Sequence, residues 1–166
     1  MQLDFGEYKF AEDKKAYIFA AILSNSRYKY SAVQNKPFTA LDVILHLLEC
    51  FEYYGGLPDE IIIDQDRTMV VSENHGDIIF TKQFKYFQEE MGLSIHVCRA
   101  ADPESKGKVE NLVKFIKSSF FSARTFTNFE EIKVSLSGWL VRTANGRISQ
   151  THYRFLQSHL KMRKNT

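Results

Sequence analysis

The segment LPDEIIIDQDRTMV, residues 57–70, sets three isoleucines in a row and follows them with an aspartate. β-Branched side chains lose rotamer freedom in a helix but pack well on a pleated sheet. An apolar run with no polar residue alternating through it suits a strand covered on both faces. Such strands belong to parallel sheets, whose helices shield each side. Asp64 then ends the strand on the carboxyl side, where open α/β sheets gather their chemistry.

Upstream, LDFGEY (3–8) alternates apolar and polar residues, the period of a strand. KKAYIFAAIL (14–23) and YKYSAVQ (28–34) read as two more strands. Their short connections predict an antiparallel meander. NKPFTALDVILHLLECFEYYGG (35–56) changes to a helical period through Leu41, Ile44, Leu45, Leu48 and Phe51, and Gly55-Gly56 closes it. Downstream, TKQFKYFQEEMG (81–92) is a second helix and LSIHVCR (93–99) a fifth strand. Two more helices follow, the last with Thr127 and Glu130 as an expected capping box. The order β-β-β-α-β-α-β-α-α predicts an α/β fold: a mixed five-stranded sheet with helices on both faces.

The chain of 166 residues suffices for one domain with a real core, and no apolar run approaches a membrane span. No signal-peptide pattern follows Met1. Cys50 and Cys98 have no metal-ligand spacing and are expected as free thiols in a reducing compartment. The net charge is +2, but no acidic residue follows Glu131. Arg142, Arg147, Arg154, Lys161, Arg163 and Lys164 make the end of the chain basic, which suits solubility and equally a polyanion such as nucleic acid.

The stretch ADPESKGKVENLVKFIKSSFF (101–121) opens on good helix-start chemistry in Asp102, Pro103 and Glu104. Val109, Leu112, Val113, Ile116 and Phe120 fall on one narrow face. Lys106, Glu110, Lys114 and Lys117 form a stripe beside it. That stripe fits an exposed salt-bridge ladder, with pairs of ~0.3–0.5 kcal/mol. Gly107, costly inside a helix, is expected to permit a close approach there. Asp4 faces opposite to Leu3 and Phe5 on its strand, and DQDR (64–67) is also a sound turn, with Asp66 as good a turn residue as Asp64. Taken together, Asp4, Asp64 and Glu110 fit a carboxylate site for a hard divalent cation, and the three side chains are expected to converge.

LDFGEY, IIIDQDRTMV and DPESKGKVENLVKFIK together resemble the catalytic core of the retroviral-integrase and DDE-transposase superfamily, most nearly IstA-like insertion-sequence transposases. The likeness covers residues 1–145, leaving 146–166 as a basic C-terminal tail. It implies an RNase H-like fold with strand order 3-2-1-4-5. Carried across by motif, it implies Asp4, Asp64 and Glu110 as the catalytic, metal-binding triad for two Mg²⁺ or Mn²⁺ ions. It further implies polynucleotidyl transfer: cleavage at transposon ends, then attack of the freed 3′-hydroxyl on target DNA. Arg67, Lys106, Lys108, Lys114 and Lys117 are the matching candidates for DNA phosphates. The expected partners are DNA, further copies of the chain and a helper ATPase, in the bacterial cytoplasm at the nucleoid, with no membrane. Two features depart from the pattern. Gln65 and Arg67 stand where such transposases usually have asparagine and lysine. The 46 positions between Asp64 and Glu110 are a wide separation, and a hairpin in MVVSENHGDIIF (69–80) with its tip at 74–76 would absorb the excess. No room precedes Asp4 for a helix-turn-helix, so an excised core or truncated relic is expected. Three alternatives stay open: a nuclease of the same fold without strand transfer, an inert core that binds DNA or a partner protein, and an α/β domain whose carboxylates never meet.

Overall fold

The computed structural model describes residues 1–64, 66–74, 77–98 and 107–146. Strands β1 (Gln2–Ala11), β2 (Lys14–Ile22) and β3 (Lys29–Gln34) form the expected meander. Helix α1 (Ala40–Tyr54) leads to β4 (Glu60–Ile63). A separate antiparallel hairpin, β5 (Val70–Asn74) and β6 (Asp77–Phe80), follows. Helix α2 (Lys82–Met91) and β7 (Ser94–Val97) precede α3 (Gly107–Phe115) and α4 (Phe129–Trp139). The main sheet runs β3-β2-β1-β4-β7. This is the expected order, because the hairpin absorbs the extra residues and adds nothing to the main sheet. The tip residues 75–76 lie outside the described residues, as does the tail from 147.

The isoleucine run takes the place its composition suggested. β4 pairs in parallel with β1 on one side and with β7 on the other. Ile61 and Ile63 are fully buried. With Leu3, Phe19, Val43, Leu47 and Phe84 they form the core beneath α1 and α2. The opposite sheet face, through Ala16, Ile18, Ala20 and Ile22, packs on Val109 of α3, Ile116 and Phe120 of the turns that continue it, and Ile132 and Trp139 of α4. Each large apolar side chain so covered contributes ~1.5–3 kcal/mol relative to exposure. Cys50 and Cys98 are both free and buried, and burial pushes the Cys50 thiol far above its usual range.

Helix ends follow local chemistry. Thr39 caps α1, its hydroxyl accepting from the Asp42 N–H while the Asp42 carboxylate accepts from the Thr39 N–H at 2.9 Å. Gly55 and Gly92 end α1 and α2 in the left-handed conformation that glycine adopts freely. α3 and α4 both run on into wider turns with i to i+5 bonding. Ser122 N–H donates to the Lys117 carbonyl and Asn145 N–H to that of Leu140, each at 2.9 Å.

Two sequence expectations need correcting. The buried face of α1 is Val43, Leu47, Cys50, Phe51 and Tyr54. Of the expected set only Phe51 belongs to it, while Leu41, Leu45 and Leu48 are 54%, 50% and 41% exposed. The helix is apolar on two sides, and period alone does not say which side meets the sheet. The last helix is capped one residue later than expected. The Asn128 side chain accepts from the Glu131 N–H, and Glu131 reaches back to Thr127 at 3.0 Å. Asn is as good a cap as Thr, and its choice shifts the box by one. At Gly107, a Cβ would meet no protein atom within 4 Å.

Candidate active site

Asp4 lies in β1, between Gln2 and Gly6 on one sheet face, because alternate strand residues share a side. Leu3 and Phe5 point the other way, into the core beneath α1. β1 and β4 pair in parallel with Gln2 opposite Ile62, and the Ile62 N–H donates to the Met1 carbonyl at 2.8 Å. β4 ends at Ile63, and Asp64 follows it directly, two residues beyond Ile62 as Asp4 is two beyond Gln2. Asp4 is half-buried and Asp64 exposed.

Helix α3 covers this face. The Gln2 side-chain oxygen accepts the Val109 N–H at 3.1 Å in a buried bond. Four residues along β1, a Cβ placed on Gly6 would stand 2.7 Å from Val113 Cγ1 and 3.4 Å from Lys117 Cε. A glycine is therefore required at position 6 for the helix to lie so close. Gln2 and Gly6 flank Asp4 on the strand, and their partners Val109 and Val113 flank Glu110 on the helix. The third carboxylate thus belongs to the helical turn that packs beside Asp4, with its own side chain exposed.

Among the described residues, no three His, Cys, Asp or Glu side chains stand close enough together to hold a metal ion. The fold places Asp4 on β1, Asp64 directly after β4 and Glu110 on α3. The donor set itself is all carboxylate oxygen, the chemistry that Mg²⁺ and Mn²⁺ prefer and that leaves room for water ligands. Asp66 is accounted for otherwise. Its carboxylate accepts from the Thr68 N–H at 2.8 Å and from the Thr68 hydroxyl, and its carbonyl accepts from Met69 and Val70. It is the turn residue of DQDR.

The basic candidates separate. Lys117 lies over Gly6, with Nζ 3.7 Å from where a Cβ would be. Gly6 is two residues, about 7 Å, along the strand from Asp4, so this ammonium borders the carboxylate face. Lys114 is exposed on the turn after Glu110. Lys108 instead turns towards the β2–β3 connection, where Nζ donates to the Ser24 carbonyl at 3.4 Å. Arg67 is exposed in the turn after β4, and Lys106 lies outside the described residues, as do Asp102, Pro103 and Glu104. Sequence reasoning missed Gln2 and Gly6. The available signal was a polar and a minimal side chain at i−2 and i+2 of Asp4, on its own face.

No protein-family model matches the sequence. A transposase for an IS21-like insertion-sequence element of Bacteroides fragilis is 43% identical over 155 residues, spanning 90% of this chain and 30% of that transposase. This chain therefore spans under a third of that relative's length. Among solved structures, the catalytic core domain of BIV integrase matches with a TM-score of 0.64 at 19% identity, over 95% of this chain and 92% of that one. The HTLV-2 integrase catalytic core, solved with magnesium in a dimeric form, matches with a TM-score of 0.60 at 16% identity, over 85% and 82%. The chain is thus a relative of one segment of an IS21-like transposase, built on the RNase H-like fold found in integrase catalytic cores.

Proposed function

We propose that this chain is the catalytic core of a DNA transposase, in which Asp4, Asp64 and Glu110 hold divalent metal for phosphodiester cleavage and strand transfer. The observation that supports this reading is the parallel pairing of β1 with β4 at Gln2 and Ile62, each two residues before an aspartate, beside the bond that ties Gln2 to α3. Magnesium or manganese bound there would supply charge neutralisation at the scissile phosphate and activation of the attacking oxygen. The aspartates supply oxygen ligands from two rigid strands, and Glu110 supplies a third from the helix. Lys117, beside the carboxylates, and Lys114, one turn after Glu110, offer cations to the DNA backbone. Such contacts orient a duplex without reading its sequence. Likeness to a transposase, and to an integrase core solved with magnesium, supports DNA as the substrate, divalent metal as the cofactor and self-association as the working state.

The test is a strand-transfer assay with Mn²⁺ and pre-cut oligonucleotide ends, alongside Mn²⁺ binding measured by calorimetry. Asp64→Asn is expected to weaken Mn²⁺ binding by at least about 100-fold, the upper end of what outer-layer changes cost metal sites, and to abolish joining. Mn²⁺-dependent hydrolysis without joining would convert the reading to a nuclease of the same fold. Unchanged Mn²⁺ binding in Asp64→Asn would overturn it.

A further inference from the structure

Gln2 is 3% exposed, a polar side chain buried at the start of the strand that carries Asp4. A buried amide needs hydrogen-bond partners, and a helix leaves its first N–H groups without intrahelical acceptors. Here the two needs meet. The Gln2 oxygen takes the N–H of Val109, the third residue of α3, at 3.1 Å and 107 positions away in sequence. An ordinary cap comes from the residue just before the helix and fixes only where the helix begins. A cap donated from the central sheet fixes where the helix lies on it.

The location of this bond is informative. Val109 immediately precedes Glu110, and Gln2 stands two residues before Asp4 on the same face. At the far side of Asp4, Gly6 admits Val113 so closely that a Cβ would sit 2.7 Å from its methyl group. The ties at 2–109 and 6–113 bracket one carboxylate on the strand and the other on the helix. They leave α3 little freedom to slide or roll over β1 in the stretch that carries both acids.

We propose that Gln2 is a positioning residue, which holds Glu110 in register with Asp4 so that both can ligate the same divalent cation. The proposal rests on the metal-binding reading above, and the following test separates the two. Mn²⁺ affinity is measured for the parent, Gln2→Met, Glu110→Gln, the double variant and Asp4→Asn, with amide exchange at Val109 followed by NMR. Methionine fills the space of glutamine without a strong acceptor.

Gln2→Met is expected to quicken Val109 exchange and to weaken Mn²⁺ binding about 10-fold, within the 10–100-fold range seen when groups orienting metal ligands are removed. The double variant should bind no more weakly than Glu110→Gln alone, because Gln2 acts through Glu110. Full Mn²⁺ affinity in folded Gln2→Met, or penalties that multiply in the double variant, would overturn the positioning role while leaving the metal site standing. Unchanged affinity in Asp4→Asn would overturn the metal site and this inference with it. Should Gln2→Met not fold, Gly6→Ala serves instead. It removes no polar group, displaces Val113 and crowds the Lys117 side chain, and is expected to weaken Mn²⁺ binding in the parent but not in Glu110→Gln. Equal weakening in both backgrounds would count against the proposal.

Discussion

At the scale of residues, the candidate site is distinguished by where side chains are held more than by which are present. Four lysine candidates are alike in sequence, but the two whose surroundings the fold defines best are unlike in place. Lys117 lies along β1 beside the carboxylate face, whereas Lys108 is drawn to the Ser24 carbonyl. Each phosphate contact by a lysine releases counterions, so its loss lowers both affinity and salt dependence. Lys117→Ala should therefore weaken binding to duplex DNA irrespective of sequence and reduce the log–log salt slope by about 1. Lys108→Ala should leave the slope nearly unchanged. Fluorescence anisotropy over a salt series measures both, and the reverse ranking would move the DNA track to the other side of α3. Asp4 was legible as a candidate by its place on a strand, and Asp64 by following one directly. Gln2 was not, because the value of a buried amide depends on a helix more than a hundred positions away.

At the scale of elements, periodicity read α3 correctly and α1 poorly, for one physical reason. α3 and the turns that continue it have a single apolar stripe, and all five residues named from it are buried. α1 has two, and only the sheet decides between them. Leu47→Ala should cost about 2–5 kcal/mol, as for other buried leucines, whereas exposed Leu45→Ala should stay within about 0.5 kcal/mol. Urea titrations of the two variants test this, and equal losses would contradict the assigned face. The cap of α1 adds a pH dependence. Burial raises the Asp42 carboxyl, but the Thr39 N–H and hydroxyl, Lys36 and Gln34 outweigh it and bring the pKa from 3.8 to about 2. A carboxyl whose pKa is lowered by folding contributes stability above its unfolded value and loses it as pH falls through the folded one. Asp42→Ala should thus cost about 0.3–1 kcal/mol near neutrality, as for a carboxylate in the first turn of a helix. The gap between parent and variant should narrow from about pH 4 down to pH 2. A gap that stays constant over that range would mean the carboxylate form adds nothing to the cap.

At the scale of the whole molecule, local rules gave the meander and a mixed sheet, while the strand order was what the family resemblance implied. Short connections forced the meander, the isoleucine run demanded neighbours on both sides, and glycine-closed helices marked the crossovers. The hairpin at 70–80 was legible as surplus length between two motifs, and the fold sets it apart from the main sheet. What sequence could not supply was how α3 seats on β1, which depends on one buried bond and one missing Cβ. That seating determines whether three acids distant in sequence act as one site. The most direct measurement is anomalous diffraction at the manganese edge from crystals soaked in Mn²⁺. The account predicts a peak between the carboxylates of Asp4 and Asp64, with Glu110 drawn towards it, and loss of that peak in Asp64→Asn. A peak at another site, or one that persists in Asp64→Asn, would contradict it.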